Sequence, residues 1–393
     1  MPFRLKRHYG GPVSGDHFWP RPEVTDPIIE TLLAGESVKL FGLRRTGKSS
    51  VMLAVQSKLE RAGRRVVYMD VQGHDRVDKL ISALLGALPN SDVTSRLSQE
   101  LSSKRVNQAI DLLNRVRGRE PAAQLSPTAI LHQVELVRGD LTSLLAQQKG
   151  NIVLLVDELP FLLDNMLKRE VRESDVNAFL ATLRSWRQDG RVPMLLSGSM
   201  GLSWLIREWG LAREHFNDLV ASVTPPPLAR GDAGEMLRAL ALEACCDWMS
   251  DDIINVVIEE SAATYPSFLQ FAFGRLVAHK AKTVEDVRHI FQTHIRPSLD
   301  EDFYAQFDTR LNRFKKEERD AARAILRRID KSGDQPAELT AIDQALGNVT
   351  CDRDDLLVTL VDDGFLTIDT RAQAVAFSSP LVRTWWQSKP YRR

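Results

Sequence analysis

An α/β fold built on a doubly wound parallel sheet is what this sequence predicts, and three observations predict it. Short apolar runs such as Ile152–Val156 read as strands buried on both faces, the kind that parallel sheets use. Amphipathic helical stretches alternate with these runs, in the strand-helix-strand order that parallel pairing requires. A glycine-rich loop, Gly42-Leu43-Arg44-Arg45-Thr46-Gly47-Lys48-Ser49, lies between the first strand and the helix that follows it.

Along the chain the elements follow in order. Residues 1–26 are rich in glycine, proline and aromatic side chains (Gly10, Gly11, Pro12, Phe18, Trp19, Pro20, Pro22) and read as an irregular lead-in segment docked by its rings. Pro27–Leu33 has a short helical pattern and Val38–Phe41 is extended. Ser49–Arg61 puts Val51, Ala54, Val55 and Leu59 on one helical face, Gly63 closes it, and Val66–Val71 returns as a buried strand. Further on, Ile152–Val156 and Val192–Ser197 are strands and Val176–Arg187 a helix, which places an α/β core at 27–228. A polar helical insertion is expected at about 89–150; Lys104, Arg105, Arg115, Arg117 and Arg119 read as a solvated face, because no aromatic residues interleave with them.

Pro225-Pro226-Pro227 breaks the chain, and a helical second domain is expected at 229–311. Three helical patterns, Asn312–Asp330, Leu339–Leu346 and Asp352–Asp363, then precede an alternating stretch, Phe365–Ser378, that reads as a hairpin. Three helices and a hairpin predict a C-terminal winged-helix domain at 312–393. Trp385 and Trp386 are expected to anchor its packing.

Composition narrows the function. With 393 residues, 43% of them hydrophobic and 26% charged, the chain is too long for one small domain and is neither disordered, collagen-like nor membrane-embedded in character. Lys+Arg and Asp+Glu both number 52, so the whole chain attracts no polyanion and a nucleic-acid site would need a local patch. No apolar run approaches the roughly 20 residues of a membrane span, and Met1–Pro12 has no apolar stretch behind its basic residues. A cytoplasmic protein with no membrane partner is therefore expected. Cys245, Cys246 and Cys351 fit neither a disulfide framework nor a metal clamp and are expected to be buried thiols.

The glycine-rich loop satisfies G-x-x-x-x-G-K-[ST] in the strand-to-helix setting that this motif needs. Its backbone N–H groups, from Gly42 through Arg44, Arg45, Thr46 and Gly47 to Ser50, form a nest for the phosphates of ATP. Lys48 reaches the β and γ phosphates and assists catalysis, and Ser49 offers its hydroxyl to Mg²⁺. The run Ile152-Val153-Leu154-Leu155-Val156 ends in Asp157-Glu158, two carboxylates whose burial makes sense opposite a cation or a reacting group. Asp157 would hold Mg²⁺ through water and Glu158 would orient the attacking water, so the pair predicts hydrolysis as well as binding. Ser197-Gly198-Ser199 ends the third strand, where Ser197 or Ser199 either senses the γ phosphate or simply makes a turn.

Together, Gly42-Leu-Arg-Arg-Thr-Gly-Lys-Ser-Ser50, Leu154-Leu-Val-Asp-Glu158, Leu195-Leu-Ser-Gly-Ser199, Tyr265-Pro266 and Phe377-Ser-Ser-Pro-Leu-Val-Arg-Thr-Trp-Trp386 resemble the archaeal-type P-loop ATPases of the STAND group of AAA+-like proteins, relatives of origin-recognition initiators. The resemblance covers nearly the whole chain except the insertion. It implies an ATPase core, a helical lid over 229–311 and a winged helix. It also implies that Phe18-Trp19-Pro20-Arg21-Pro22-Glu23 lies near the adenine, with Arg21 beside the nucleotide or else within a closing aromatic cluster. In the lid, a Gly-x-Pro element of the family touches nucleotide; here Thr264-Tyr265-Pro266 occupies that place, keeping Pro266 and lacking the glycine. Arg207 and Arg213 are the candidates for a finger arginine.

The function these features imply is an ATP-driven molecular switch that reports its nucleotide state to a protein partner in regulation or defence. The alternative is an initiator-like or mobile-element ATPase that grips duplex DNA with its winged helix. The would-be recognition helix carries Asp352, Asp354, Asp355, Asp362 and Asp363 against Arg353, a sign that repels phosphate. Basic ends (Arg4, Lys6, Arg7; Lys389, Arg392, Arg393) leave backbone contacts by tails open. A nucleotide-locked structural subunit is disfavoured by the intact Lys48, Ser49, Asp157 and Glu158. Oligomerisation stays open.

Overall fold

Strands form where the apolar runs fall: β1 Val38–Phe41, β2 Arg65–Asp70, β3 Ile152–Asp157, β4 Met194–Gly198 and β5 Ala221–Val223. All pair in parallel, in the order β2-β3-β4-β1-β5, so their C-terminal ends share one edge. The computed structural model describes residues 4–72, 138–148, 150–168, 171–199, 202–219, 221–261, 263–333, 335–347 and 351–390. The insertion expected at 89–150 lies outside these residues, apart from helix α3 introduced below.

The sheet belongs to a compact unit made of Arg21–Phe41 and Val51–Thr224. Its helices are α1 Pro22–Leu33, α2 Lys48–Arg61 (whose first three residues fall outside the unit), α3 Arg138–Gln147, α4 Leu159–Lys168, α5 Glu173–Gln188 and α6 Leu202–Trp209. Alternation along the strands sorts the side chains into two cores. Val153 and Leu155 of β3 and Leu195 of β4 pack with Val24, Ile28 and Leu32 of α1 and Val51, Met52, Val55 and Leu59 of α2. Ile152, Leu154 and Val156, with Met194 and Leu196, pack on the opposite face with residues of α4, α5 and α6. Helices on both faces make the sheet doubly wound. Helix α1 starts at Pro22, earlier than the pattern from Pro27 suggested, because a proline suits the first helical position and the Arg21 carbonyl accepts from the N–H groups of Val24 and Thr25.

A second compact unit comprises Met1–Pro20, Gly42–Ser50 and Pro225–Arg393. Helices α7 Arg230–Glu243, α8 Asp251–Glu260 and α9 Pro266–Ala278 are followed by a helical run from Val284 to Leu311. That run consists of α10 Val284–Ile290, a π-helical segment Phe291–Ile295, α11 Arg296–Leu299, a second π segment Asp300–Tyr304 and α12 Ala305–Leu311. Then come α13 Lys316–Lys331, β6 Ala337–Glu338, α14 Leu339–Leu346, α15 Arg353–Asp362, β7 Leu366–Asp369, β8 Ala374–Phe377 and α16 Pro380–Ser388. The three strands pair antiparallel in the order β6-β8-β7. One continuous core joins these helices. At its centre Phe307 of α12, Phe365 and Trp385 of α16 meet with ring centroids 5.1 to 5.9 Å apart, and Trp386 is buried beside them.

One expectation fails. None of the three cysteines is buried: Cys245 is exposed, in a left-handed turn just past α7, and Cys246 and Cys351 are half-buried. Among the described residues no helix is long and apolar enough to cross a membrane.

The fold yields one prediction. Leu155 is wholly enclosed between β2 and β4 on the face that α1 and α2 cover, so Leu155→Ala should lose about 2 to 5 kcal/mol of stability. Urea denaturation followed by circular dichroism measures it; a loss below about 1 kcal/mol would contradict this core assignment.

Candidate nucleotide site

The chain leaves β1 at Phe41 and enters the loop at Gly42, and α2 begins at Lys48. Between them the loop needs three left-handed backbones: Gly47 at φ 94° and Gly42 at φ 155° take theirs without a side-chain penalty, and Arg45 at φ 66° does not. Such a residue costs on the order of 1 kcal/mol and persists only where contacts hold it. Thr46 Oγ1 donates to the Leu43 carbonyl at 2.9 Å, tying the loop to itself. The buried Lys48 ammonium donates to the carbonyls of Gly42 (3.1 Å) and Leu43 (2.7 Å), curled over the loop. Ser49 and Ser50 open α2, and the Ser50 hydroxyl accepts from the Val13 N–H at 3.0 Å.

The other expected chemistry lies at the ends of β3 and β4. Asp157 is in phase with Val153 and Leu155, so its carboxylate faces the same side of the sheet as they do, and it is 1% exposed. Such a buried carboxylate needs donors. Ser197 Oγ donates to Asp157 Oδ1 at 2.7 Å and the Tyr68 hydroxyl to Oδ2 at 3.3 Å. Tyr68 is a site residue that sequence reasoning missed. It lies on β2, two residues before Asp70, which pairs with Asp157, and only the strand order reveals that proximity. Burial, and then the charges of Asp157 and Asp70, push its hydroxyl pKa well above the ordinary tyrosine value, so it remains a donor.

Glu158 turns the chain from β3 into α4 with φ 63°, a second left-handed residue that is not glycine. Its Oε2 accepts from both the N–H of Ser199 (3.0 Å) and the Ser199 hydroxyl (2.9 Å). Each serine of the Ser197-Gly198-Ser199 run thus serves one carboxylate. Close packing explains the glycine between them, since a Cβ on Gly198 would come within 2.7 Å of both Phe41 and Pro160.

The remaining candidates are scattered. Arg21 precedes α1, buried, with its Nε donating to Glu23 Oε1 at 3.1 Å. Pro266 takes the first position of α9, and Ser267 beside it donates to the Arg45 carbonyl. Arg45's guanidinium stands over the rings of Tyr9 (5.1 Å) and Phe303 (5.4 Å) and donates to the Tyr9 hydroxyl at 2.8 Å. Arg207 is half-buried on α6, and exposed Arg213 opens the 3-10 turn Arg213–Phe216. Asp157 and Ser49 offer hard oxygen donors of the kind Mg²⁺ takes, and the two hydrogen bonds already on Asp157 suit a metal held through water.

Comparison with known proteins finds similar folds. Residues 34–206 match the family described as AAA domain. A Walker-type ATPase of Pyrococcus abyssi has a similar structure at a TM-score of 0.54 and 16% identity, over 97% of this chain and 98% of that one. Cdc6p of Pyrobaculum aerophilum (TM-score 0.42, 12% identity, 94% and 92% covered) and the ORC2 protein of Aeropyrum pernix (0.44, 12%, 93% and 92%) are also similar. A search of curated proteins gave no match. Residues 34–206 are thus similar to an AAA domain, and the fold is that of a P-loop ATPase.

Lys48→Ala should abolish binding of Mg-ATP while leaving the melting temperature within about 2 °C, because Lys48 supplies charge to the loop rather than bulk to a core. Titration calorimetry decides it; unchanged affinity would remove the loop as the nucleotide site.

Proposed function

We propose that this protein is a Mg-ATP-hydrolysing switch of the STAND or AAA+-like kind that couples nucleotide state to a protein partner. The observation that carries the reading is the end of β3. Two adjacent carboxylates stand there, each held by a serine of β4 or the residue after it, and β4 pairs in parallel with β1, the strand that the phosphate-type loop follows in the chain. In this reading the N–H groups of Gly42, Arg45, Thr46, Gly47 and Ser50 and the Lys48 ammonium hold the phosphates, whereas the N–H of Arg44, expected among them from the motif, is already donated to Gln306 Oε1 at 2.8 Å. Ser49 and Asp157 hold Mg²⁺, which supplies charge to stabilise the departing phosphate. Glu158 positions water, and Ser199, which shares a hydrogen bond with it, relays whether the γ phosphate is present. Arg21 and Pro266 keep the roles the family resemblance implies, as nucleotide neighbours.

The helices at 229–311 serve as the lid, and the order α13-β6-α14-α15-β7-β8 supports a winged helix whose recognition helix is α15. The outer face of α15 supports a protein partner. Asp354, Asp355 and Asp362 are exposed there around Val358, itself 45% exposed, and Arg353 is paired with Asp343 and Asp354. A duplex offers the same charge as this face, whereas a basic protein surface with a small apolar recess offers the complement.

Glu158→Gln should bind ATP with near wild-type affinity and hydrolyse it at least about a hundredfold more slowly, because the amide keeps the shape and loses the carboxylate. Steady-state phosphate release measures this, and equal turnover would take Glu158 out of the mechanism.

The partner class has its own test. The Glu158→Gln protein, held in ATP, should retain a protein partner that the further changes Asp354→Lys and Asp355→Lys release, while duplex DNA binds weakly at about 150 mM salt. A nanomolar, sequence-dependent DNA complex at that salt would favour the initiator reading instead.

A further inference from the structure

The loop that carries Lys48 is gripped from outside by residues with no place in the nucleotide motif. Arg44 donates its backbone N–H to Gln306 Oε1 at 2.8 Å, and Gln306 Nε2 lies 3.5 Å from the Arg44 carbonyl. The same Nε2 donates to the Phe303 carbonyl at 2.9 Å. Arg310, one helical turn on, donates to Gln306 Oε1 at 3.2 Å and, through Nη1, to the carbonyl of Asp363 at the end of α15. Arginine only donates, so the atom it meets must be the oxygen of the Gln306 amide, and the amide is oriented without ambiguity. Gln306 is 9% and Arg310 3% exposed; burying a guanidinium and an amide is costly unless their hydrogen bonds are made, which here means made to the loop and to Asp363.

Two further observations point the same way. Leu43 of the loop packs into the core of this unit, and its side chain lies where a Cβ on Gly364 would stand, 2.7 Å from that atom. The turn Asp363-Gly364 therefore meets the loop twice, at Leu43 directly and at Arg44 through Arg310 and Gln306. The π segment Asp300–Tyr304 ends immediately before α12, and π segments re-aim the residues around them. Phe303, inside it, faces Arg45, and Gln306, just after it, faces Arg44.

We propose that Gln306, fixed by Arg310, is a positioning residue of the phosphate-binding loop: it sets the backbone at Arg44 for nucleotide and ties nucleotide affinity to the α15–β7 turn. This rests on the reading of Gly42–Ser49 as the triphosphate loop. Gln306 takes the N–H of Arg44 and leaves the other N–H groups of the loop, through the start of α2, to the phosphates. It touches no reacting atom, so it acts on binding and not on the chemical step.

The test uses the full chain and Mg-ATP. Gln306→Met keeps the volume and removes both polar groups; it should raise KM and the calorimetric Kd about tenfold, the worth of one lost hydrogen bond, with kcat within about twofold. Gln306→Glu keeps the acceptor for Arg44 and Arg310 and should restore KM to within about threefold of wild type. Arg310→Lys, which cannot span Gln306 and Asp363 as a planar fork does, should raise KM in the same sense. Adding Gln306→Met to Arg310→Lys should cost no more than the larger single effect. KM and Kd within twofold of wild type in both single variants, a fall in kcat at constant KM, or fully additive effects would each overturn the proposal. Should Gln306→Met fail to fold, Arg310→Lys and Gln306→Glu still decide it. Lys48→Ala separates the two levels: if it binds ATP normally, the loop assignment fails, whereas if it abolishes binding and the Gln306 and Arg310 variants bind normally, only this inference fails.

Discussion

The sheet depends on one constraint: β3 is buried along its whole length and yet ends in a carboxylate. Six consecutive buried residues lie between β2 and β4, and their alternation supplies both cores of the sheet unit. A strand so placed can tolerate Asp157 only where donors wait for it, and the parallel register provides them. Ser197 on β4 and Tyr68 on β2 are brought to either side of Asp157 because the neighbouring strands run in the same direction and end at the same edge. The apolar packing and the polar chemistry of this edge are therefore set by the same pairing. A slip of one residue in β4 would carry Ser197 to the wrong face and leave Asp157 short of a donor.

Glycine-rich phosphate loops are usually described through the strand and helix that flank them, and here those flanks explain only part of the loop. Its nine residues cluster with the segment that begins at Pro225, and the contacts that shape it come from Ser267, Gln306 and Leu43's neighbours in that segment. The left-handed Arg45 shows why such support is needed. Its backbone is strained, its carbonyl is taken by Ser267, and its guanidinium is held by Tyr9 and Phe303. Contacts worth a few tenths to about one kilocalorie each are enough together to offset a strain of that order.

Much of the fold was legible because its signals are local. β3 is an uninterrupted apolar run, the loop is a motif in its required setting, and α14 and α15 lie where the helical periodicity put them. What was not legible depends on pairing across long stretches of chain. Tyr68 looks like any strand aromatic until β2 is set beside β3, and Gln306 looks like any polar residue of a helix until α12 is set against Arg44, 262 residues earlier in the chain. Helix α4 escaped notice for a different reason. Pro160 argues against a helix in the interior of a pattern, yet it stands in the first turn, where the missing N–H costs nothing. The π segments leave no periodic signal, since each inserts an extra residue into a helical pattern that reads on through it.

The aspartates of α15 show how a count of charges becomes a surface only after the backbone is known. Asp352 caps the helix, accepting from the N–H groups of Asp354 and Asp355, and Asp363 is buried at the other end. Asp363 does not reach the surface, and Asp352, though exposed, is engaged as the cap. Arg353, the one cation of the stretch, is drawn off by Asp343 and Asp354 together, and both hydrogen bonds raise its pKa further. Three exposed aspartates and Val358 remain, with a single cation that is already paired. The face is smaller than the sequence suggested, and its sign is unchanged. For a duplex to approach it, phosphates would have to come within a Debye length, about 8 Å at physiological salt, of these carboxylates without a counterion to release in return. In the proposed winged-helix reading, the electrostatic part of DNA affinity would then oppose binding at the position where a recognition helix normally gains it, and a basic protein surface would gain what the DNA loses.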